Sequence, residues 1–304
     1  MSKKVLVLMG GFSHEREVSL VSGKGVAEAL RQKNFEVVEF DLKNGWELVD
    51  VLKKEKPDVV FNALHGNWGE DGEVQGLLDM LQIPYTHSGV KASLLGMDKN
   101  ITKNIAKSCG ITVALSEKLK VKDFWNNGTV VSMPYVLKPV SDGSSVGVFV
   151  VMDKSDLAQV HYDDENTEIL VEKYIEGKEL TVACIDGKAY VVTEIRPSVE
   201  FYDYKAKYTD GITKHVLPAE IPDDVAEKCK IWAEKLHKKM GCKSVSRIDV
   251  RYNEEDGPVF LEINTHPGMT PLSLVPEQAK YVGISYADLC EMLVTSANCR
   301  SLES

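Results

Sequence analysis

Arg247-Ile248-Asp249-Val250-Arg251-Tyr252, then Asn253-Glu254-Glu255-Asp256-Gly257, then Pro258-Val259-Phe260-Leu261-Glu262-Ile263-Asn264, reads as strand, turn, strand. Side chains alternate faces along a strand, so Arg247 shares a face with Asp249, and Glu262 with Asn264. A turn centred on the Glu255–Asp256 bond sets Asp249 opposite Glu262 and Arg247 opposite Asn264. Two facing carboxylates repel unless a cation lies between them. Two carboxylates and an amide oxygen make a hard, all-oxygen donor set of the kind that suits Mg²⁺ shared with phosphates. The plainer alternative is a solvated outer face with ordinary charge alternation.

Upstream lies Lys138-Pro139-Val140-Ser141-Asp142-Gly143-Ser144-Ser145-Val146-Gly147. A strand ends in a lysine, and a loop of glycines and serines follows. Such a loop lets backbone N–H groups and hydroxyls approach an anion. It lacks the Gly-Lys-Ser/Thr of a Walker loop, and a plain hairpin loop is the alternative. Farther upstream, Gly10-Gly11-Phe12-Ser13-His14-Glu15-Arg16-Glu17 joins a buried strand to a helix. Ligands of open α/β sheets bind beyond the carboxyl ends of the strands. The loop carries an acid instead of a full dinucleotide fingerprint. Glu15 would suit a substrate ammonium group, or simply complement the helix N-terminus. His65-Gly66 closes another strand on the same sheet edge. Phe201-Tyr202-Asp203-Tyr204-Lys205-Ala206-Lys207-Tyr208 follows no period and reads as a loop, either a lid or a surface segment packing its tyrosines.

Around these segments the chain divides into two grammars. Strands at Val5–Met9, Glu36–Phe40 and Asp58–Leu64 alternate with helices, one ending near Asn34 and one carrying Val74, Leu77, Leu78 and Leu81. This predicts a parallel α/β domain over about 1–95. From Met97 a helix over Lys99–Ser108 leads into short strands at Tyr135–Lys138, Val146–Met152, Ile169–Lys173, Leu180–Ile185 and Tyr190–Ile195. Asp186-Gly187 reads as a hairpin turn. A helix over about Asp223–Met240 ends at Gly241. The remainder is α+β, as one domain or two lobes.

Composition narrows the function classes. In 304 residues, 43% are hydrophobic and 27% charged, the usage of a globular protein rather than a disordered or fibrous one. The net charge of −10 argues against a generic nucleic-acid binder, though not against a local pocket for one small anion. No apolar run approaches a membrane span, and the first apolar run is too short for a signal peptide. Six cysteines without paired spacing read as reduced thiols in the cytoplasm.

Taken together and in order, the segments resemble the D-alanine–D-alanine ligase family of the ATP-grasp superfamily. The resemblance rests on residues 10–19, 63–66, 69–72, 97–99, 137–139, 143–147, 171–173, 201–208, 247–250, 262–265 and 267–270. It implies an N-terminal α/β substrate-binding domain (1–95) followed by an ATP-grasp fold of two lobes, a central one (96–180) and a C-terminal one holding the metal site (181–304). The implied activity couples two D-alanines with ATP through an acyl phosphate, giving dipeptide for peptidoglycan, ADP and phosphate. Lys99 and Lys138 match phosphate-contacting lysines; Glu172, Lys173 and Ile175 match adenine contacts; Glu179 matches the ribose contact. Lys207 matches an active-site lysine. Asp249, Glu262 and Asn264 match ligands of Mg²⁺, two ions that Mn²⁺ could replace. Glu15 matches the receiver of the first substrate's ammonium, with Ser144 and Tyr208 as its hydrogen-bonded partners and His65 beside it. Arg247 and the Gly268 N–H match the oxyanion site, and Ser273 the second substrate's carboxylate site. The family also implies small-molecule substrates, no nucleic-acid or membrane partner, and room for a homodimer. Asp142, Ser246 and His266 depart from its usual residues. A ligase for D-lactate or D-serine, or a non-catalytic nucleotide-binding module, is the alternative, and Tyr204–Tyr208 favours alanine.

Overall fold

The computed structural model describes residues 2–141, 143, 146–197 and 213–301. Three sheets organise it. The first is parallel and consists of β1 (Lys4–Gly10), β2 (Glu36–Leu42) and β3 (Val59–Asn62), in the order β2-β1-β3. Helices α1 (Arg16–Gln32), α2 (Gly45–Glu55) and α3 (Glu73–Met80) connect and cover it. β1 is apolar from Val5 to Met9 because both its faces are covered there. Val5 and Val7 face α1, while Leu6 and Leu8 face the core shared with Leu48, Leu52 and Leu78.

The second sheet is antiparallel, with β4 (Ser116–Lys120), β7 (Glu168–Lys173), β5 (Tyr135–Pro139) and β6 (Phe149–Val151) in that order. Helix α6 (Val121–Asn127) covers it through Phe124. β6 is shorter than the expected 146–152, because Gly147 takes a left-handed φ of 67° and keeps that end in a turn.

The third sheet has β8 (Lys178–Ile185) and β12 (Val245–Asn253) at its centre, flanked by β13 (Gly257–Asn264) on one side. Along the other edge of β8 run β9 (Lys188–Ala189), β10 (Thr193–Pro197) and then β11 (Thr213–Val216). The Asp186-Gly187 turn has both residues at positive φ, as a two-residue hairpin turn requires. The strand expected at 190–195 is interrupted. β9 pairs up to Cys184 and β10 only from Thr181, so Val182 and Ala183 lack a strand partner on that edge. The buried Gln278 amide fills the gap: its Oε1 accepts from Ala183 N at 2.9 Å and its Nε2 donates to Thr181 O at 3.1 Å. Gln278 comes from α8 (Leu274–Tyr281), and helix α7 (Asp223–Met240) covers the other face with Cys229, Trp232 and Leu236.

The short helices α4 (Val90–Met97) and α5 (Lys99–Ser108) sit on the third sheet, where Ala92 and Ala106 share a core with Ile248 and Phe260. The last helix, α9 (Tyr286–Ser296), returns to the first domain, and its Leu289 and Leu293 join Val5 and Leu30. The first and third sheets therefore share one core, through Val5, Ala183, Ile185 and Val245, while the second sheet has a core of its own.

Candidate active site

β12 alternates without a break from Arg247, with Ile248, Val250 and Tyr252 buried under α7 and Arg247, Asp249 and Arg251 on the open face. β13 pairs with it so that Asp249 faces Glu262 and Arg247 faces Asn264, as the alternation predicts. The route to that register differs from expectation. Asn253 pairs with Gly257, so the turn is centred on Glu255 and not on the Glu255–Asp256 bond. Gly257, at φ 68°, closes the three-residue loop in the left-handed region. A regular ladder from this turn would send Glu262 to the buried face. A β-bulge between Asp249 and Val250, with Leu261 as the additional residue of β13, returns Glu262 to the open face.

Asp249 is held from two sides. Arg247 donates Nε to its Oδ1 at 3.0 Å and Nη2 to its Oδ2 at 2.8 Å, and Thr181 Oγ1 donates at 2.7 Å. Asn264 Oδ1 accepts from His266 N at 2.8 Å. Glu262 Oε2 lies 3.9 Å from Lys99 Nζ at the start of α5. The Lys99 N–H donates to Val140 O, just beyond β5, so this helix start lies against the strand that carries Lys138. Lys138 Nζ in turn donates to Glu172 Oε1 at 3.3 Å. Lysines and carboxylates from α5, β5, β7 and β13 thus converge between the second and third sheets. Ile175 shares a small apolar cluster with Ala114 and Val259 at the same junction. Glu179 accepts from Arg251 Nη2 at 3.0 Å, and Lys173 pairs with Asp256 in the hairpin turn at 3.3 Å.

The second pocket lies beyond the carboxyl ends of β1 and β3. Glu15 is buried there, 5% exposed. Gly66 approaches it so closely that a methyl group on Gly66 would lie 2.9 Å from Glu15 Oε2. Gly143 approaches it from the Gly/Ser loop, where a methyl would lie 3.5 Å from the same oxygen. His65 is fixed at both nitrogens, by Ser22 Oγ at Nε2 and by Glu70 at Nδ1, each at 3.1 Å. Burial raises the Glu70 carboxyl above its ordinary value, with the His65 contact opposing that shift. Ser13 Oγ donates to His65 O at 2.6 Å, and Asn62 accepts from Leu64 N, so the loop itself is tied to its strand.

The third group is the turn after β13. A methyl on Gly268 would lie 3.2 Å from Ser273 Oγ, which accepts from Thr270 N at 3.0 Å. The expected Gly268 and Ser273 are therefore neighbours. His266 stacks on His87 with ring centroids 3.9 Å apart, and His65 lies edge-on 6.0 Å from His266. This imidazole cluster ties the first domain to the turn, and the sequence reading did not identify His87. Burial lowers His87 to about 3 and moves His266 in the same direction. Ser144, Lys207 and Tyr208 lie outside the described residues, as do Asp142 and the whole aromatic segment 201–208. Burial pushes the Cys184, Cys229 and Cys290 thiols up to about 12, which disfavours their thiolates.

The family model described as D-ala D-ala ligase C-terminus matches residues 105–295, and the one described as D-ala D-ala ligase N-terminus matches residues 49–88. The chain belongs to the D-alanine–D-alanine ligase family. Among curated members of that family, the D-alanine–D-alanine ligase of Erythrobacter litoralis is 47% identical over 302 residues, covering 96% of this chain and 93% of the relative. The one from Ruegeria sp. is 48% identical over 299 residues, covering 97% and 96%. Among solved structures, the D-alanine–D-alanine ligase of Bacillus anthracis complexed with ATP superposes with a TM-score of 0.81 at 34% identity, covering 97% of each chain. The VanG D-Ala:D-Ser ligase of Enterococcus faecalis superposes with a TM-score of 0.78 at 28% identity, covering 97% of this chain and 99% of that one. Ser246 and His266, read from the sequence as departures from the family pattern, have local partners. Ser246 Oγ, fully buried, meets His237 Nδ1 at 2.8 Å, and His266 has its stack on His87.

Proposed function

We propose that this chain joins two D-alanines with ATP, forming D-alanyl-D-alanine, ADP and phosphate for peptidoglycan. The observation that carries the reading is the convergence of Lys99, Lys138, Glu172, Asp249 and Glu262 between two antiparallel sheets, in a chain of this family. ATP lies in that cleft. Lys99 and Lys138 hold its phosphates, Glu172, Lys173 and Ile175 border adenine, and Glu179 meets the ribose; Lys207 is assigned to the nucleotide as well. The lobes are 1–95, 96–180 and 181–304, with α5 of the middle one seated on the sheet of the last. The enzyme works in the cytoplasm, where ATP is available and thiols stay reduced.

The oxygen donors of Asp249, Glu262 and Asn264 fit Mg²⁺ by their chemistry, since all are hard oxygens on one open face. Bound there, the metal neutralises phosphate charge during phosphoryl transfer. The chain's own groups do the rest. Glu15 receives the ammonium of the first D-alanine, and His65, Ser144 and Tyr208 complete that pocket. The carboxylate of this substrate takes the γ-phosphoryl group and releases ADP, because a free carboxylate is a poor electrophile. Ser273 holds the carboxylate of the second D-alanine. Its amine attacks the acyl phosphate, loses a proton, and expels phosphate. The negative charge on the tetrahedral intermediate needs fixed donors, supplied by Arg247 and the Gly268 N–H.

The test is purified protein with ATP, Mg²⁺ and a panel of D- and L-amino acids, D-serine and D-lactate, scored for phosphate and for product by mass. Phosphate release that requires D-alanine, with D-alanyl-D-alanine accumulating, is expected. Equal use of L-alanine, preference for D-lactate or D-serine, or phosphate without dipeptide overturns the reading.

A further inference from the structure

One turn after Lys99, α5 carries a second lysine that takes no part in the mechanism above. Lys103 is 3% exposed, and its ammonium lies against Glu172 Oε2. Glu172 is 2% exposed, and its other oxygen is the one that Lys138 contacts at 3.3 Å. A single carboxylate thus stands between two ammonium groups. The pair also spans the cleft. α5 is packed on the third sheet, while Glu172 belongs to the middle of the second, paired to Ser116 on one side and Val136 on the other. Burying an ammonium is expensive unless a partner is fixed opposite it. Burial does pull Lys103 down from its ordinary value; the Glu172 charge opposes this, and the Lys138 charge adds to it.

We infer that Lys103 is a positioning residue for recognition of the nucleotide base: it pins the Glu172 carboxylate as a fixed acceptor at the adenine edge and leaves Lys138 aligned with the phosphates. The inference rests on the proposed placement of ATP in this cleft. A carboxylate held by two ammonium groups only accepts hydrogen bonds. Adenine offers an amino donor at its six-position, whereas guanine offers a carbonyl oxygen there. Against a fixed acceptor, the guanine oxygen stays unpaired in a dry pocket, the arrangement that discriminates most strongly. Without Lys103, Oε2 loses its anchor and Glu172 is free to close on Lys138 with both oxygens. Both the base contact and the alignment of Lys138 suffer.

The experiment compares the wild type with K103M, E172Q and the double variant K103M/E172Q, measuring kcat and KM for ATP and for GTP at saturating D-alanine. K103M should raise the KM for ATP on the order of 10- to 100-fold, with a smaller change in kcat, and lower the ATP-over-GTP ratio of kcat/KM at least about tenfold. The double variant should match E172Q in that ratio, because Lys103 acts through Glu172. Equal losses with ATP and GTP, leaving the ratio at its wild-type value, would make Lys103 a mere tether between lobes and overturn the inference. Should K103M fail to fold by circular dichroism, the double variant, which removes both buried charges, is read instead. A wild-type ratio in it, or its own failure to fold, also overturns the inference. Failure of the underlying reading is separate, since it would appear in the wild type as no D-alanine-dependent ATP turnover.

Discussion

The pocket at the end of the parallel sheet and the cleft between the antiparallel sheets are held together by different forces. In the pocket, Ser13, Ser19 and Asn62 bond to backbone groups of the β3 loop and Ser22 to His65, with the Glu70 carboxylate at the other His65 nitrogen. In the cleft, Lys99, Lys103, Lys138, Glu172 and Glu262 meet as charges from four elements distant in sequence. A network of neutral hydrogen bonds loses roughly 0.5–1.5 kcal/mol per bond removed. A buried charge stripped of its partner loses several times that. Substitutions in the cleft should therefore act steeply, and those in the pocket by degrees.

The steepest case is Asp249→Asn, which keeps the shape of the side chain and removes its charge. Turnover with ATP and D-alanine should fall on the order of 10³-fold. Arg247→Ala should cost about 10²–10³ in kcat, since its guanidinium both meets developing charge and braces Asp249 through two hydrogen bonds. Steady-state kinetics across a Mg²⁺ titration separates the two roles: loss of the brace shifts the Mg²⁺ midpoint, and loss of the oxyanion donor lowers the plateau. Wild-type turnover in Asp249→Asn would break the comparison at its strong end.

Acid tests the imidazole cluster that joins the two regions. His87 is neutral in the folded chain, lowered to about 3 by burial, against an ordinary value of 6.5. Between those values the unfolded chain binds the proton and the folded chain does not. Stability is therefore complete above pH 6.5 and declines as the pH falls toward 3. Between pH 7 and 4.5 the loss from His87 should be about 2–3 kcal/mol. The lowered His237 and His266 act in the same direction, and the raised Glu70 acts against them. Urea unfolding of the wild type and of His87→Phe at both pH values checks this. The same pH slope in both proteins would remove His87 from the account.

The hairpin face was legible in the sequence because a period of two fixes which side chains share it. The bulge at Leu261 was not, because nothing in Pro258–Asn264 distinguishes an additional residue from a regular one; only the ladder reveals it. The strand Ser116–Lys120 was missed for a related reason. Three of its five residues are charged, and backbone pairing with β7 decides its state rather than propensity. The helix over Gly45–Glu55 was missed because only Leu48 and Leu52 are buried, too few positions to establish a period. Lys103 is the most instructive omission. A lysine in a helix reads as solvated, and its burial follows from where α5 docks on the third sheet, a tertiary fact without a local signature. Glu15 and His65, by contrast, stand at strand ends, where the rule for open sheets already directs attention.

The mildest change should be Ser22→Ala. Ser22 is fully buried on α1, and its hydroxyl meets His65 Nε2 at 3.1 Å. Removing it leaves that nitrogen without its hydroxyl partner, while Glu70 still holds Nδ1 from the other side. The imidazole keeps one anchor and loses the other, so it should rotate within its pocket rather than leave it. Stability should fall by about 1 kcal/mol, the net value of one hydrogen bond, without collapse of the core. Kinetically, the KM for D-alanine should rise a few-fold through the Glu15 pocket that His65 borders. The KM for ATP should not move, because no charge of the cleft touches Ser22. That asymmetry is the sharpest form of the comparison. If Ser22→Ala raised the KM for ATP as much as the KM for D-alanine, the two regions would be coupled through the His65–His266–His87 cluster. The division between a locally bonded pocket and a charge-held cleft would then be wrong.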